Sequence, residues 1–162
     1  MSEPSAGGLI LRTFRAGDEA DFSRLNEAWI SKDFTLEPID LAIIRDPKTH
    51  ILDGGGRILI AERSGEIIGC CALVVLAPGE LELAKMTVSA EARGFGVGRK
   101  LLRFAIDQAR SMGAHRLYLE SNSKAAAAIH LYEQLGFRHL PGPVHASKHE
   151  RANVFMELPL CP

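Results

Sequence analysis

The chain has 162 residues, 46% of them hydrophobic and 24% charged, with a formal net charge of -1. This composition is typical of a globular domain with a substantial apolar core, so we expect a single domain over residues 1–162. The balanced charge gives no indication of a nucleic-acid or membrane partner. Cys70, Cys71 and Cys161 do not form a disulfide framework, and neither a secretory leader nor a bilayer-spanning apolar run is evident. A cytoplasmic location is therefore predicted.

The first half of the chain predicts one strand, two helices and three further strands. Asp18 is expected to cap the first helix, in which apolar residues recur at helical spacing up to Trp29. Three consecutive strands without intervening helices predict an antiparallel arrangement. The strands are expected over 9–15, 57–63, 66–76 and 81–88, and the second helix over 38–45.

The second half predicts alternating helices and strands. Helices are expected from Gly98 to about Met112 and from Ser123 to Leu135, each followed by a glycine. Strands are expected over 115–121, 137–140 and 153–158, with an irregular stretch over 141–152. This order predicts an α+β (mixed α/β) sheet with helices on both faces, and the segment 81–121 should form a right-handed parallel crossover.

The segment 93–100, "RGFGVGRK", combines glycines at alternate positions with an unusual charge pattern. A helix N-terminus prefers acidic neighbours, yet basic residues surround this one. Glycines that bring backbone N–H groups to a helix N-terminus are typical of a phosphate site, so we predict a ligand with several phosphates. The alternative is a tight loop whose basic residues are solvated or paired with Glu91 and Asp107. The residues concerned are Gly94, Gly96, Gly98, Arg93, Arg99, Lys100 and Arg103.

The loop lacks features of two known nucleotide-binding motifs, and this limits which nucleotide it could bind. It is not a Walker A loop, because the spacing of its glycines and the residues after them differ from that motif. A dinucleotide-binding fingerprint would need glycine where Arg99 stands, although Glu120 lies at the distance of a ribose-binding acid. A dinucleotide-binding oxidoreductase is therefore kept as an alternative function, opposed by the three antiparallel strands that precede the loop.

Residues 93–98 resemble the R/Q-x-x-G-x-G/A loop of the GNAT superfamily of acetyl-CoA-dependent N-acetyltransferases. The flanking segments "ELELAKMTV" and "AIHLYEQLGF" are also similar to that family, so the resemblance spans about residues 57–140. It implies a GNAT-like three-layer fold whose mostly antiparallel sheet contains one parallel, splayed pair of strands. The splay between 81–88 and 117–121 would open the acyl slot.

The resemblance also implies a cofactor site for acetyl-CoA, and no metal. The loop would bind the coenzyme A pyrophosphate, and one strand's backbone would pair with the pantetheine arm. Many members carry Asn where Ala125 stands, so a side-chain contact to the cofactor is expected to be lost or to move to Asn122 or Ser123. The predicted cofactor-binding residues are Met86, Thr87, Val88, Arg93, Gly94, Phe95, Gly96, Val97, Gly98, Arg99 and Asn122.

Acetyl transfer to an amine needs a proton acceptor, because an alkylamine of pKa near 10.4 is almost fully protonated at neutral pH. Glu82 is the candidate base, with Glu80 as its competitor and an ion pair with Lys85 as the structural alternative. The departing thiolate benefits from a proton donor. The resemblance implies that Tyr132 has this role. The structural alternative is that Tyr132 simply packs beside Leu135.

The acceptor side, by the same resemblance, is walled by the first two helices and the last loop. Aromatic residues beside carboxylates favour a cationic amine with an apolar stem, whereas the basic loop leaves open an acceptor that bears a carboxylate. His145 and His149 lie in an irregular segment, so zinc binding is not predicted. The residues are Trp29, Asp33, Phe34, Glu37, Asp40, His145, Lys148, His149 and Arg151.

The predicted function is N-acetyl transfer from acetyl-CoA to a primary amine of a small molecule or peptide, by direct attack in a ternary complex. A non-catalytic module that binds or senses acyl-CoA is the main alternative. Cys70 and Cys71 are interpreted as packing residues and not nucleophiles, because no histidine stands beside them in the sequence. Either a monomer or a homodimer is compatible with the sequence.

Overall fold

A computed structural model describes residues 8–147 and 149–160, so Lys148 and Cys161 lie outside the described residues. The protein forms a seven-stranded sheet of order β1-β2-β3-β4-β5-β7-β6. The strands are β1 Leu9–Thr13, β2 Arg57–Arg63, β3 Glu66–Ala77, β4 Glu80–Val88, β5 Arg116–Ser121, β6 Arg138–His139 and β7 Val154–Pro159. The helices are α1 Glu19–Asp33, α2 Pro38–Arg45, α3 Val97–Ser111 and α4 Ala126–Gln134.

The sheet is antiparallel except at β4 and β5. These two strands are parallel and are joined by α3, so the crossover predicted over 81–121 is present. The oxidoreductase alternative would need several parallel strands around a nucleotide crevice, and the described sheet contains a single parallel pair. The fold therefore confirms the mostly antiparallel α+β prediction and does not support a dinucleotide-binding domain.

The core is divided into two layers by the alternation of side chains along the strands. Leu59 and Ala61 of β2 face α3, whereas Ile58 and Ile60 of the same strand face α1 and α2. The apolar stripe predicted for α3 is buried, from Leu101 to Ala109. Helices therefore cover both faces of the sheet in three layers. No helix within the described ranges is long and apolar enough to cross a bilayer.

Two predicted details of the helices differ from the structure. Asp18 stands at the N-cap position of α1 but makes no capping hydrogen bond, because its carboxylate binds the Arg12 guanidinium at 2.8 Å and the Arg15 N–H. Helix α4 begins at Ala126 and not at Ser123, since the Asn122 side chain accepts the Lys124 N–H in a preceding turn. In both cases a local side-chain contact replaces the expected cap.

Candidate active site

A cavity of about 590 Å³ opens where β4 and β5 separate. The two strands pair only from Glu80 to Glu82 of β4, the last pair being Glu82 with Tyr118. Beyond it, no described residue of β5 pairs with β4, so the β4 edge from 83 to 88 lines the cavity. An extended ligand can pair with such an edge as an added strand. The cavity walls include Met86, Thr87 and Val88, the residues predicted to bind pantetheine.

A β-bulge distorts β4 beside the cavity. Cys70 pairs with Thr87 and Ala72 with Ala84, so Lys85 and Met86 together stand opposite one residue of β3. Lys85 has a φ of 54°, a conformation that costs a residue with a side chain free energy. The bulge turns Lys85 toward α2, where its Nζ lies 3.0 Å from Asp40 Oδ1. The alternating sequence pattern of this strand gave no indication of it.

The glycine loop leads into α3 as predicted. Gly94 and Gly96 have φ values of 87° and 75°, and Gly96 is the N-cap residue. A Cβ at either position would meet no atom within 4 Å, so backbone conformation, not space, requires glycine there. The first turn of α3 contains no acidic residue, its first N–H groups have no partner within the helix, and residues 96–99 line the cavity. This chemistry fits the pyrophosphate of a coenzyme A.

Within the described part of the chain, neither Glu91 nor Asp107 forms an ion pair with the basic residues of the loop. Arg93 Nε donates to the Val88 carbonyl at 3.2 Å, and Arg99 donates to the Gln134 side chain. Asp107 lies 3.6 Å from Arg110 instead. Arg93 and Arg99 line the cavity together with Gly94, Gly96, Val97 and Gly98.

Phe95 and Asn122 are placed differently from their predicted roles. The Phe95 ring is 67% exposed, lies outside the cavity lining and has the Arg63 guanidinium 5.8 Å from its centroid. Asn122 lines the cavity, but its amide donates to the Arg151 carbonyl. Asn122 therefore holds the irregular segment 141–152 against the end of β5. Its position in the sequence did not indicate this role.

Tyr132 lies in the wall of the cavity, packed against Phe137 at 5.7 Å between ring centroids. Its hydroxyl makes no hydrogen bond with any described residue, so it is available to a ligand. Burial raises the pKa of the phenol well above its usual range. The Tyr132 phenol is therefore protonated at neutral pH.

Glu82 and Glu80, the two candidate bases, have different surroundings. Glu82 lines the cavity at the point where the strands separate. Glu80 does not line it, and its carboxylate accepts a hydrogen bond from Arg116 at 2.9 Å. Lys85, the alternative partner of Glu82, binds Asp40; burial lowers the pKa of Lys85, and the charges of Asp40 and Glu82 oppose that shift. A third carboxylate, Glu120, also reaches the cavity and accepts hydrogen bonds from Tyr118 and Ser147 at 2.8 and 2.7 Å.

The far end of the cavity is built on a buried ion network. Asp40, which is 0% exposed, accepts two hydrogen bonds from Arg151 at 2.7 and 2.8 Å as well as the Lys85 contact. Arg151 also binds Glu37 at 2.8 Å. Burial by itself would raise the pKa of Asp40, but the Arg151 hydrogen bonds, the Glu37 N–H and the Lys85 charge hold it well below its usual range.

His149 completes this cluster, with Nδ1 3.5 Å from Asp40. Burial lowers its pKa, and the charges of Lys85 and Arg151 lower it further, so the imidazole is neutral at pH 7. Glu37, Asp40 and His149 are close enough to share a cation. Lys85 and Arg151 already bind these carboxylates, so both side chains would have to move away before a cation could bind.

Comparison with known proteins agrees with this architecture. Residues 19–137 match the sequence model of the Acetyltransferase (GNAT) family. The chain is 38% identical over 105 residues to an IAA acetyltransferase of Azospirillum brasilense, covering 64% of this chain and 68% of that one. It is 37% identical over 100 residues to the N-acetyltransferase YjgM of Escherichia coli, covering 60% of each. The chain belongs to the GNAT acetyltransferase family.

Solved structures show the same fold. An acetyltransferase of the GNAT family from Staphylococcus aureus superimposes with a TM-score of 0.86 at 20% identity, covering 95% of this chain and 100% of that one. The Salmonella typhimurium protein YncA, solved with its cofactor acetyl-CoA, superimposes with a TM-score of 0.71 at 24% identity, covering 96% and 95%. The fold class predicted from the sequence is thereby confirmed.

Proposed function

We propose that the protein transfers the acetyl group of acetyl-CoA to a primary amine of a small molecule or peptide. The observation that carries this proposal is the cavity between β4 and β5. It connects an N-terminus of α3 suited to pyrophosphate with a carboxylate, Glu82, and a protonated phenol, Tyr132. The two sequence-predicted catalytic residues thus line one cleft. Membership of the GNAT family supports the same reaction.

In the proposed reaction, Glu82 accepts a proton from the acceptor, directly or through water, so that the amine nitrogen carries a lone pair. The nitrogen attacks the thioester carbonyl carbon, forming the C–N bond. The C–S bond then breaks and its electron pair leaves with sulfur, while the nitrogen, which became positively charged on attack, releases its second proton to solvent to give the neutral amide. Tyr132 donates its proton to that sulfur and is reprotonated from solvent. The β4 edge and the glycine loop bind and orient the acetyl donor so that the carbonyl lies between the two groups.

The competing function is binding of acyl-CoA without turnover. Thiol release from acetyl-CoA, measured with a panel of primary amines, separates the two. Amine-dependent release is expected for a transferase. Binding of acetyl-CoA without release for any amine would favour the binding module.

Charge reversal at the phosphate site tests the cofactor assignment. Arg99→Glu is expected to weaken acetyl-CoA binding by about 1.5 to 3 kcal/mol, because a charge-assisted hydrogen bond to phosphate is lost. The affinity can be measured by isothermal titration calorimetry. Arg110→Glu is the matched control, since it makes the same change at the other end of α3, outside the cavity. Unchanged affinity in both Arg99→Glu and Arg93→Ala would contradict the assignment.

Removing the Tyr132 hydroxyl tests the proton donor. Tyr132→Phe is expected to lower kcat by about 100-fold, within the usual range for a general acid, and to leave the Kd of acetyl-CoA almost unchanged. The variant should fold normally, because the hydroxyl has no hydrogen-bond partner among the described residues. Steady-state kinetics and a thermal melt provide the two measurements. A wild-type kcat would reduce Tyr132 to a packing residue.

A further inference from the structure

The buried ion network turns its positive side toward the cavity. Lys85 and Arg151 line the cavity, whereas their partners Asp40 and Glu37 do not. Asp40 is completely buried behind them. Two of the three carboxylates that favoured a cationic acceptor, Glu37 and Asp40, are therefore already bound to basic side chains, and the third, Asp33, does not line the cavity. Although the Lys85 side chain is only 6% exposed, the basic members of the network are the ones that contribute to the cavity wall.

The aromatic wall of the cavity carries positive charge as well. Phe34 lies 6.3 Å from Trp29, and both rings line the cavity. Two cations already stand near the Phe34 ring, Lys124 Nζ at 5.5 Å and the Arg151 guanidinium at 5.7 Å. A cationic substrate stem on this ring would be repelled by both, whereas an anionic group would be attracted.

Lys124 is the cation best placed to receive such a group. It is exposed, lines the cavity and forms no ion pair within the part of the chain that the structure describes. Arg151 is different, because its terminal nitrogens are already bonded to Asp40 and Glu37. The terminal nitrogens of Arg151 are thus engaged inside the protein, whereas Lys124 can contribute a direct contact to a ligand. Glu82, where the strands separate, remains the group that faces the reacting amine.

From this arrangement, and resting on the proposed acetyl transfer, we infer that the acceptor is an amine that also carries a carboxylate. An α-amino acid with an apolar side chain is the simplest example. Its amine approaches Glu82, its carboxylate approaches Lys124 and its side chain packs on Trp29 and Phe34. This reverses the preference for a purely cationic amine, because Lys85 and Arg151 neutralise Glu37 and Asp40 inside the protein.

Matched acceptors test the inference. Each of several apolar amino acids is compared with its amide and with the amine left by decarboxylation, phenylalanine, phenylalaninamide and phenethylamine being one such set. Thiol release is measured at equal concentrations of unprotonated amine. We expect kcat/KM to be at least about 10-fold higher for the carboxylate-bearing member, in line with one charge-assisted contact. Spermidine and a lysine peptide serve as cationic competitors.

The outcomes separate this inference from the proposed function. If phenethylamine, spermidine or the lysine peptide is acetylated as efficiently as the amino acids, the carboxylate assignment is wrong and the acetyl transfer stands. If no amine gives thiol release although acetyl-CoA binds, both are wrong.

A lysine variant then tests the contact. Lys124→Gln is expected to raise KM for the best amino acid about 10-fold, with little change in kcat or in KM for the corresponding amide. Lys48→Gln is the matched control, because Lys48 is an exposed lysine outside the cavity. An equal effect of Lys124→Gln on the amino acid and its amide would overturn the proposed contact.

Discussion

Glu82→Gln is expected to lower kcat by about 100- to 10,000-fold while the Kd of acetyl-CoA stays nearly constant. The amide cannot accept the proton that the acceptor amine must lose, but it has almost the same size as the carboxylate. Glu82 lines the cavity at the last paired position of β4 and β5, where an amine could reach an acyl group. Pre-steady-state thiol release distinguishes a slow chemical step from slow product release.

Glu80→Gln is the control for this experiment. Glu80 lies two residues earlier on the same strand, binds Arg116 and stays outside the cavity lining. Its loss should affect stability through the ion pair and leave kcat near the wild-type value. A large fall in kcat for Glu80→Gln with normal turnover for Glu82→Gln would assign the base to Glu80 instead.

Asp40→Asn is expected to lower the free energy of unfolding by about 3 to 5 kcal/mol, because breaking a buried ion pair leaves its partner charges uncompensated. In this variant Lys85 and Arg151 both lose the negative charge that they share. Urea unfolding monitored by circular dichroism gives the value. Asp53→Asn is the control, since the exposed Asp53–Lys48 pair should contribute less than about 1 kcal/mol. Similar losses of unfolding free energy in Asp40→Asn and Asp53→Asn would contradict the large stabilisation expected from the buried network.

The pH dependence of the Asp40 effect has a definite sign. The folded-state pKa of Asp40 lies well below its usual range because the Arg151 hydrogen bonds and the Lys85 charge outweigh its burial. A carboxylate with a depressed folded pKa stabilises the protein fully above its unfolded pKa of about 3.9 and loses that contribution as the pH falls toward the folded value. The contribution of the Asp40 carboxylate to the stability difference between wild type and Asp40→Asn should therefore be complete above about pH 5 and shrink below pH 4.

The network also links the proposed acceptor side of the cavity to β4, the strand expected to bind pantetheine. Asp40 holds Lys85 in the bulge, and Met86, the next residue, lines the region expected to receive pantetheine. If the folded Asp40→Asn protein binds acetyl-CoA normally, the bulge does not need this carboxylate. Weakened acetyl-CoA binding at a temperature where the variant remains folded would show that it does.

Features that depend only on residues close together in the sequence were predictable from it. The strands, the apolar stripe of α3 and the glycine loop are local patterns, because side-chain period and backbone freedom act over a few residues. The resemblance carried by that loop and its flanking segments also indicated Glu82 and Tyr132. Their meeting at one cavity follows from the single parallel pair of strands, which the element order predicts.

The charge of the acceptor wall was decided by tertiary structure alone. The sequence shows acidic and basic residues on both sides of the cleft but not which of them pair. Asp40 meets Lys85 across 45 positions and Arg151 across 111, and the bulge that permits the first contact contradicts the local strand pattern. Electrostatic energy depends on distance in space and on burial, so these contacts hide the carboxylates and leave their cations facing the ligand.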